Sequence, residues 1–198
     1  MSQTWRLFIA IELPEEVLKA IGRLQNDLKK VIPARSARWT HPEGIHLTLK
    51  FLGDVPAEQV GELEAAIKEI GAAHRPLELQ AGGLGCFPNL ERPRVLWLGL
   101  GGDLVKLAAL QEDVEKRIAP MGYPTEERGF NPHLTLARTA RDASRADAAA
   151  IGAAVSQHDQ GQLAAWRVGS VSLMRSFLKP DGAVYEQVAE AVLGRSGG

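Results

Sequence analysis

The sequence has only one cysteine, Cys86, among its 198 residues. A single thiol cannot form an intramolecular disulfide, and it cannot build a cluster of thiolate metal ligands within one chain. The lack of disulfides is typical of proteins in a reducing compartment. We therefore expect a cytoplasmic protein.

Long apolar runs and an excess of one charge are also missing. The run at residues 7–11 (LFIAI) is too short for the apolar region of a signal peptide, and no stretch approaches the roughly 18 apolar residues that mark a membrane span. The formal net charge is -1, whereas proteins that coat nucleic acids usually carry a basic face. We expect no membrane partner, and we expect any anionic ligand to be bound locally.

Helical and strand-like periods alternate along the chain, and 45% of its residues are hydrophobic. The order predicts an α+β protein with antiparallel sheets, in a single domain over residues 1–198. The glycine-rich stretch 82–89 is interpreted as a loop and Gly71 as a helix stop. The predicted strands cover 4–11, 45–49, 77–80, 95–100, 130–138, 166–177 and a segment at Tyr185; the predicted helices begin at Pro14, Pro56, Asp103 and Asp142.

The tetrad His-Leu-Thr-Leu occurs twice, at residues 46–49 and 133–136. Successive side chains of a strand point to opposite faces, so each tetrad places its histidine and threonine on one face and its leucines on the other. If the two halves of the chain pack about a pseudo-twofold axis, the polar faces meet in one cleft. That cleft contains His46, Thr48, His133 and Thr135.

Two imidazoles and two hydroxyls favour displacement at phosphorus. An imidazole can act as base or acid near neutral pH, so two of them can activate a nucleophile and protonate a leaving oxygen without a metal. Threonine hydroxyls donate hydrogen bonds to phosphate oxygens that gain charge in the transition state. The spacing alone does not say which histidine is the acid and which the base.

Other classes of enzyme find less support. A zinc hydrolase would need ligand spacing such as His-Glu-x-x-His, and threonine is a poor zinc ligand. The turn at residues 99–102 (GLGG) has Leu104 where a dinucleotide-binding motif needs its third glycine, and no Gly-x-Ser-x-Gly is present. A binding module that keeps the cleft without turnover, or a phosphodiesterase with another substrate, remains open.

The sequence resembles the LigT-like RNA 2',3'-cyclic phosphodiesterases, also called 2'-5' RNA ligases, of the two-histidine phosphoesterase superfamily. The residues that carry the resemblance are found over essentially the whole chain: 5–10 (WRLFIA), 39–53 (WTHPEGIHLTLKFLG), 130–138 (FNPHLTLAR) and 175–176 (RS). The resemblance implies a duplicated, bilobal α+β fold. Two antiparallel sheets would line a central cleft, with helices on the outside.

The resemblance also implies hydrolysis of terminal RNA 2',3'-cyclic phosphates to 2'-phosphates, with no metal and no cofactor. By that resemblance His46 is the proton donor, His133 is the proton acceptor, and Thr48 and Thr135 bind the phosphate. The expected partner is an RNA with a terminal cyclic phosphate or a small cyclic nucleotide. A 2'-5' ligase, or an enzyme of 2'-5' oligonucleotides, is the alternative, and we expect a monomer.

Four further residues are candidates for substrate binding. Phe51 could stack on a base, although strand alternation sends its side chain to the core. Arg138 lies on the opposite parity from His133 and reaches the cleft only if the strand ends or bulges first. Arg175 follows an apolar strand and could supply a further cation. Lys50, on the parity of His46, could approach the phosphate or be solvated at the end of the strand.

Overall fold

Helices and strands alternate through the part of the chain that the computed structural model describes, residues 3–158, 161–179 and 182–194. In chain order they are β1 (Thr4–Glu12), α1 (Glu15–Val31), β2 (Ala37–Trp39), β3 (His46–Pro56), α2 (Val60–Ala73), β4 (Leu77–Phe87), β5 (Val95–Gly102), α3 (Leu104–Ile118), β6 (His133–Thr139), α4 (Arg145–Gln157), β7 (Gln162–Val168), β8 (Ser170–Lys179) and β9 (Gly182–Val192). Within those ranges, no helix has both the length and the apolar character that a membrane-spanning helix needs.

The strands form two antiparallel sheets, and the prediction of an α+β fold with two such sheets is confirmed. The first sheet has the order β3-β1-β8-β9, and the second has the order β2-β6-β5-β4-β7. Helices α2 and α3 pack on the first sheet, and α1 and α4 pack on the second. The two lobes are not continuous halves of the chain, because β8 and β9 return to complete the sheet that β1 and β3 begin.

Strand β1 lies inside the first sheet and is buried on both faces, which explains its unbroken apolar run. Leu7, Ile9 and Ile11 join the main core, whereas Phe8 and Ala10 point the other way and form a small cluster with Met174. The first group packs toward the helices. The second group lies under the cleft.

Two glycine predictions were wrong. Residues 82–87 continue β4 and pair with β5 rather than forming a loop. Residue 85 is a glycine for a packing reason, because the ring of Trp97 on β5 occupies the space that a Cβ would need. Gly71 lies inside α2 and not at its end. A Cβ there would come within 2.9 Å of the Val192 carbonyl oxygen on β9, so glycine allows the helix to approach the sheet.

The starts of the helices agree with the sequence signals to within a few residues. Helix α3 begins directly after Asp103, as predicted. Helix α4 begins at Arg145 rather than Asp142, because Ser144 and Asp147 form a reciprocal capping box.

Candidate active site

The two His-Leu-Thr-Leu tetrads begin strands β3 and β6, one in each sheet. Leu47 and Leu49 are 1% and 3% exposed, and both leucines of the second tetrad are fully buried, as alternation predicts. The histidines and threonines between them face a cleft of about 750 Å³ that both sheets line. The cleft contains His46, Thr48, His133 and Thr135.

Both histidines are oriented by a backbone carbonyl two residues earlier. The Nδ1 of His46 lies 2.9 Å from the Gly44 oxygen, and the Nδ1 of His133 lies 2.8 Å from the Asn131 oxygen. Because a carbonyl oxygen can only accept a hydrogen bond, each Nδ1 is the donor. Each Nε2 is then left to exchange a proton with a ligand in the cleft.

His46 is enclosed by aromatic rings. Phe8 stacks on it with ring centroids 4.6 Å apart, and Tyr185 meets it edge-on at 4.9 Å. Burial lowers the pKa of His46 from its usual 6.5, while the hydrogen bond to the Gly44 carbonyl and the charge of Glu12 raise it. The net pKa is lowered, so the neutral imidazole is favoured before an anion binds.

Glu12 is the carboxylate nearest to His46 in the register of the first sheet. The two residues are direct partners in the pairing of β1 with β3, and paired residues share a face. The Glu12 carboxylate accepts a hydrogen bond of 2.7 Å from the Oγ of Ser172 and another from the amide of Gln187. These bonds hold the negative charge in place.

A β-bulge lies at the last leucine of each tetrad and reverses the alternation of the side chains that follow it. The pairing of β1 with β3 passes over Leu49, and the pairing of β5 with β6 passes over Leu136. The residues five positions after each histidine therefore face the cleft: Phe51, which is 73% exposed, and Arg138. The expectation that Phe51 faces the core was wrong, and the bulge that Arg138 required is present.

The same bulge moves Lys50 into the core, contrary to the expectation that it approaches the phosphate. Its ammonium group forms a buried ion pair with Glu115 of α3 and donates a 2.8 Å hydrogen bond to the Pro124 carbonyl. The Glu115 carboxylate also accepts a hydrogen bond from the Glu126 amide. Lys50 and Glu115 thus tie β3 to the segment that leads into β6.

Arg175 lies outside the lining of the cleft. Its neighbour Ser176 lines the cleft, so alternation along β8 directs Arg175 to the other face. There its guanidinium group stacks over the rings of Trp5 and Phe177, 4.1 and 4.5 Å from their centroids. The structure therefore does not support Arg175 as a substrate ligand.

Sequence reasoning missed three residues of the cleft. Arg6 and Arg141 line it, as Arg138 does, and Tyr185 lines it in contact with the His46 ring. We call this cleft, which Arg6, Arg138 and Arg141 line, the arginine arm. Arg6 shares the parity of Phe8 on β1, so alternation could have identified it, whereas Arg141 lies in a turn with no periodic signal.

A second groove of about 1090 Å³ continues from the cleft past Thr48, Phe51 and His133. We call it the glutamate arm: its carboxylates are Glu115, Glu126 and Glu127, its cations are Lys50 and Arg128, and its apolar walls include Phe87, Pro88 and Phe130. Phe87 meets the ring of His133 edge-on with centroids 4.9 Å apart. The two arms therefore meet at the two His-Leu-Thr-Leu tetrads and differ in the charged residues that line them.

Across residues 3–158, 161–179 and 182–194, no three His, Cys, Asp or Glu side chains lie close enough together to hold a metal ion. Burial raises the pKa of Cys86 to about 11, so this thiol stays protonated and we assign it no role.

The chain is similar to known enzymes along most of its length. It is 31% identical to the RNA 2',3'-cyclic phosphodiesterase of Methanothermobacter thermautotrophicus over 91% of this chain and 94% of that protein. It is 34% identical to the protein of the same name from Thermus thermophilus over 91% of this chain and 86% of that protein. Both alignments include the two tetrads and the strands around them.

Solved structures share the fold. A crystal structure of a Thermus thermophilus protein is 30% identical and superimposes with a TM-score of 0.77 over 95% of this chain and 97% of that one. The structure of E. coli LigT complexed with 3'-AMP gives the same TM-score over 98% of this chain and 100% of that one, at 25% sequence identity. Residues 11–97 and 104–185 match the family of LigT like phosphoesterases. With two tetrads in one cleft, this chain belongs to that family.

Proposed function

We propose that the protein hydrolyses the terminal 2',3'-cyclic phosphate of an RNA to a 2'-phosphate. The observation that carries the proposal is the meeting of two His-x-Thr motifs, from two sheets, in one cleft that three arginines also line. The names of the relatives support the same reaction and the same substrate class.

In the proposed reaction His133 takes a proton from water, and the water oxygen attacks phosphorus. The bond from phosphorus to the 3'-oxygen breaks opposite the attack, and His46 protonates that oxygen. The bond to the 2'-oxygen stays, so the product is a 2'-phosphate with a free 3'-hydroxyl. When the negatively charged phosphate binds, it raises the pKa of His46 and offsets the lowering of that pKa by burial. His46 is then protonated and can act as the acid.

The remaining side chains hold the substrate. Thr48 and Thr135 donate hydrogen bonds to the non-bridging phosphate oxygens, which become more negative as the nucleophile adds. Arg138 supplies positive charge beside them. Phe51, exposed above the cleft, offers a face on which the terminal base stacks.

A short RNA with a cyclic phosphate end tests the proposal. The purified protein should convert that end to a 2'-phosphate, which can be identified by mass spectrometry and by its resistance to enzymes that need a 3'-phosphate. Adding a chelator should leave the rate unchanged. A 3'-phosphate product, or an end that stays cyclic, would contradict the proposal; a mononucleoside 2',3'-cyclic phosphate in parallel shows whether a small cyclic nucleotide suffices.

A further inference from the structure

His46 and His133 are oriented by equivalent carbonyl groups that lie in different kinds of backbone. Gly44, which binds the Nδ1 of His46, ends a short helical turn directly before β3. Asn131, which binds the Nδ1 of His133, belongs to residues 122–132, which form neither a helix nor a strand. We call residues 122–132 the 122–132 loop. The orientation of His133 therefore depends on what holds this loop.

The 122–132 loop has little packing of its own. Tyr123 and Phe130 pack partly buried against the core, and the Tyr123 hydroxyl donates a 2.5 Å hydrogen bond to the Oε1 of Gln59. Between these two aromatic residues, residues 124–129 are all exposed and line the glutamate arm. Burial does not hold this stretch, so polar contacts must set its position.

Lys50 and Glu115 supply those contacts. The Lys50 ammonium group donates a 2.8 Å hydrogen bond to the Pro124 carbonyl, and the Glu115 carboxylate accepts one of 3.3 Å from the Glu126 amide. Among the hydrogen bonds of the described residues, these two are the ones that join residues 124–129 to groups outside the loop. The ion pair is therefore the anchor of the exposed stretch.

Burial of the ion pair shows what its charges contribute. Lys50 is 5% exposed and Glu115 is 8% exposed. Because both charges lose their hydration, an apolar pair of similar size often stabilises a fold as well as a buried ion pair does. An apolar pair could not bind the loop's carbonyl and amide groups, however. The specific gain from the charges is the position of the loop.

The far end of the loop transmits that position to His133. The Asn131 side-chain amide donates a 3.0 Å hydrogen bond to the Gly129 carbonyl, and the Asn131 carbonyl accepts the 2.8 Å bond from the Nδ1 of His133. A neutral imidazole with its proton on Nδ1 has an unprotonated Nε2, which is the state that a base needs. If the loop shifts, the ring is free to turn or to carry its proton on Nε2 instead.

We propose that Lys50 and Glu115 are positioning residues for His133, so that the strand of the first tetrad helps to orient the histidine of the second. This inference rests on the proposed function, in which His133 is the base. The pair exchanges no proton with the substrate. It acts through the 122–132 loop and the Asn131 carbonyl, which keep the Nε2 of His133 unprotonated and aimed into the cleft.

The double variant Lys50→Met/Glu115→Leu tests the proposal, because it removes both contacts to the loop without leaving a buried charge. In the hydrolysis of a short RNA with a cyclic phosphate end, kcat should fall about 10- to 100-fold, as it does when a catalytic group is misplaced. KM should change by less than about twofold, since Thr48 and Thr135 still hold the phosphate.

Asp113→Asn is the matched control. Asp113 is also a carboxylate of α3, but it binds His74 and Arg117 rather than the loop. Its replacement weakens the attachment of the same helix and should leave both kcat and KM unchanged.

A second measurement reads the ring of His133 directly and needs no substrate. Nitrogen-15 NMR spectra distinguish the two neutral tautomers of an imidazole, and spectra of His46→Ala and His133→Ala assign the signals. In the native protein both rings should carry the proton on Nδ1. In the double variant His133 should show a mixture of tautomers while His46, whose carbonyl partner lies outside the loop, should not change. A general loss of stability would not single out one ring.

The possible results separate the two proposals. A His133 tautomer that stays unchanged in the double variant, a kcat equal to that of Asp113→Asn, or a raised KM at unchanged kcat would overturn the positioning role and leave the hydrolase intact. Absence of hydrolysis by the native protein would overturn the proposed function. The tautomer of His133, measured without substrate, would then still decide whether the ion pair orients the ring.

Discussion

At the scale of single residues, the two histidines differ in their surroundings although their motifs are identical. His46 is packed between Phe8 and Tyr185, whereas His133 touches only Phe87 among the aromatic contacts of the described residues. Both use the same backbone hydrogen bond to fix the ring. In the proposed mechanism, the different functions of the two imidazoles therefore arise from their neighbours rather than from the motif.

Replacement of either imidazole tests the mechanism directly. His46→Ala and His133→Ala should each lower kcat by about 100-fold or more, since each removes one proton-transfer group. Thermal unfolding should change little, because both side chains face the cleft and not the core. His41→Ala, at an exposed histidine outside the lining of the cleft, is the control. Near-normal activity in either catalytic variant would contradict acid-base catalysis by the pair.

The pH dependence tests which histidine is the acid. An acid must be protonated to act, so the rate falls as the pH rises through the pKa of His46. Burial lowers that pKa, so the alkaline limb of kcat/KM should lie below pH 6.5. The alkaline limb of kcat should lie at a higher pH than that of kcat/KM, because bound phosphate raises the pKa of His46.

The variant Glu12→Gln tests whether His46 is the acid and His133 the base, or the reverse. Loss of the carboxylate removes an influence that raises the pKa of His46, so the alkaline limb should move to still lower pH. Glu16→Gln, at an exposed position on α1, should move neither limb. If Glu12→Gln instead moved the acid limb, His46 would be the base and His133 the acid.

At the scale of elements, the bulges explain how far the site could be predicted. Alternation placed His46 and Thr48 correctly because the regular strand lasts through those residues. It misplaced Lys50 and Phe51 because the bulge depends on pairing with β1, which residues 46–51 do not encode. Gly85 was misread for a related reason: its partner, the ring of Trp97, belongs to a different strand.

At each bulge a leucine carbonyl accepts a hydrogen bond from a helix glutamine, and the Leu136 carbonyl also accepts one from the backbone amide of Thr40. The Gln25 amide on α1 donates 3.0 Å to the Leu136 oxygen, and the Gln111 amide on α3 donates 3.4 Å to the Leu49 oxygen. The duplication of the tetrads therefore extends to the helices behind them. Neither glutamine belongs to a local motif, so the sequence alone did not reveal these contacts.

The buried ion pair between β3 and α3 should stabilise both the fold and the cleft. Lys50→Met leaves the Glu115 carboxylate buried without its cation, which should cost about 3–5 kcal/mol in free energy of unfolding. The double variant Lys50→Met/Glu115→Leu should recover much of that loss, because no unpaired charge remains. Urea unfolding measures both.

Lys116→Met is the control for this pair. Its partner Glu112 is on the surface of the same helix, and exposed pairs contribute little. Should Lys50→Met unfold at the same urea concentration as Lys116→Met, the buried pair would not stabilise the protein.

At the scale of the whole molecule, the net charge is -1 and the arginines of the cleft are the local source of positive charge. We therefore expect the protein to bind the end of an RNA rather than a long stretch of its backbone. Three arginines that neutralise phosphates should give a slope of about -2 for the logarithm of affinity against the logarithm of salt concentration, since single strands contribute about -0.7 per contact.

His46→Ala allows binding of a cyclic-phosphate RNA to be measured without turnover. In that background Arg141→Gln should reduce the slope by about 0.7, whereas Arg167→Gln, exposed on β7, should not change it. A slope steeper than about -4, or one that grows with RNA length, would show contacts along the backbone far beyond the cleft.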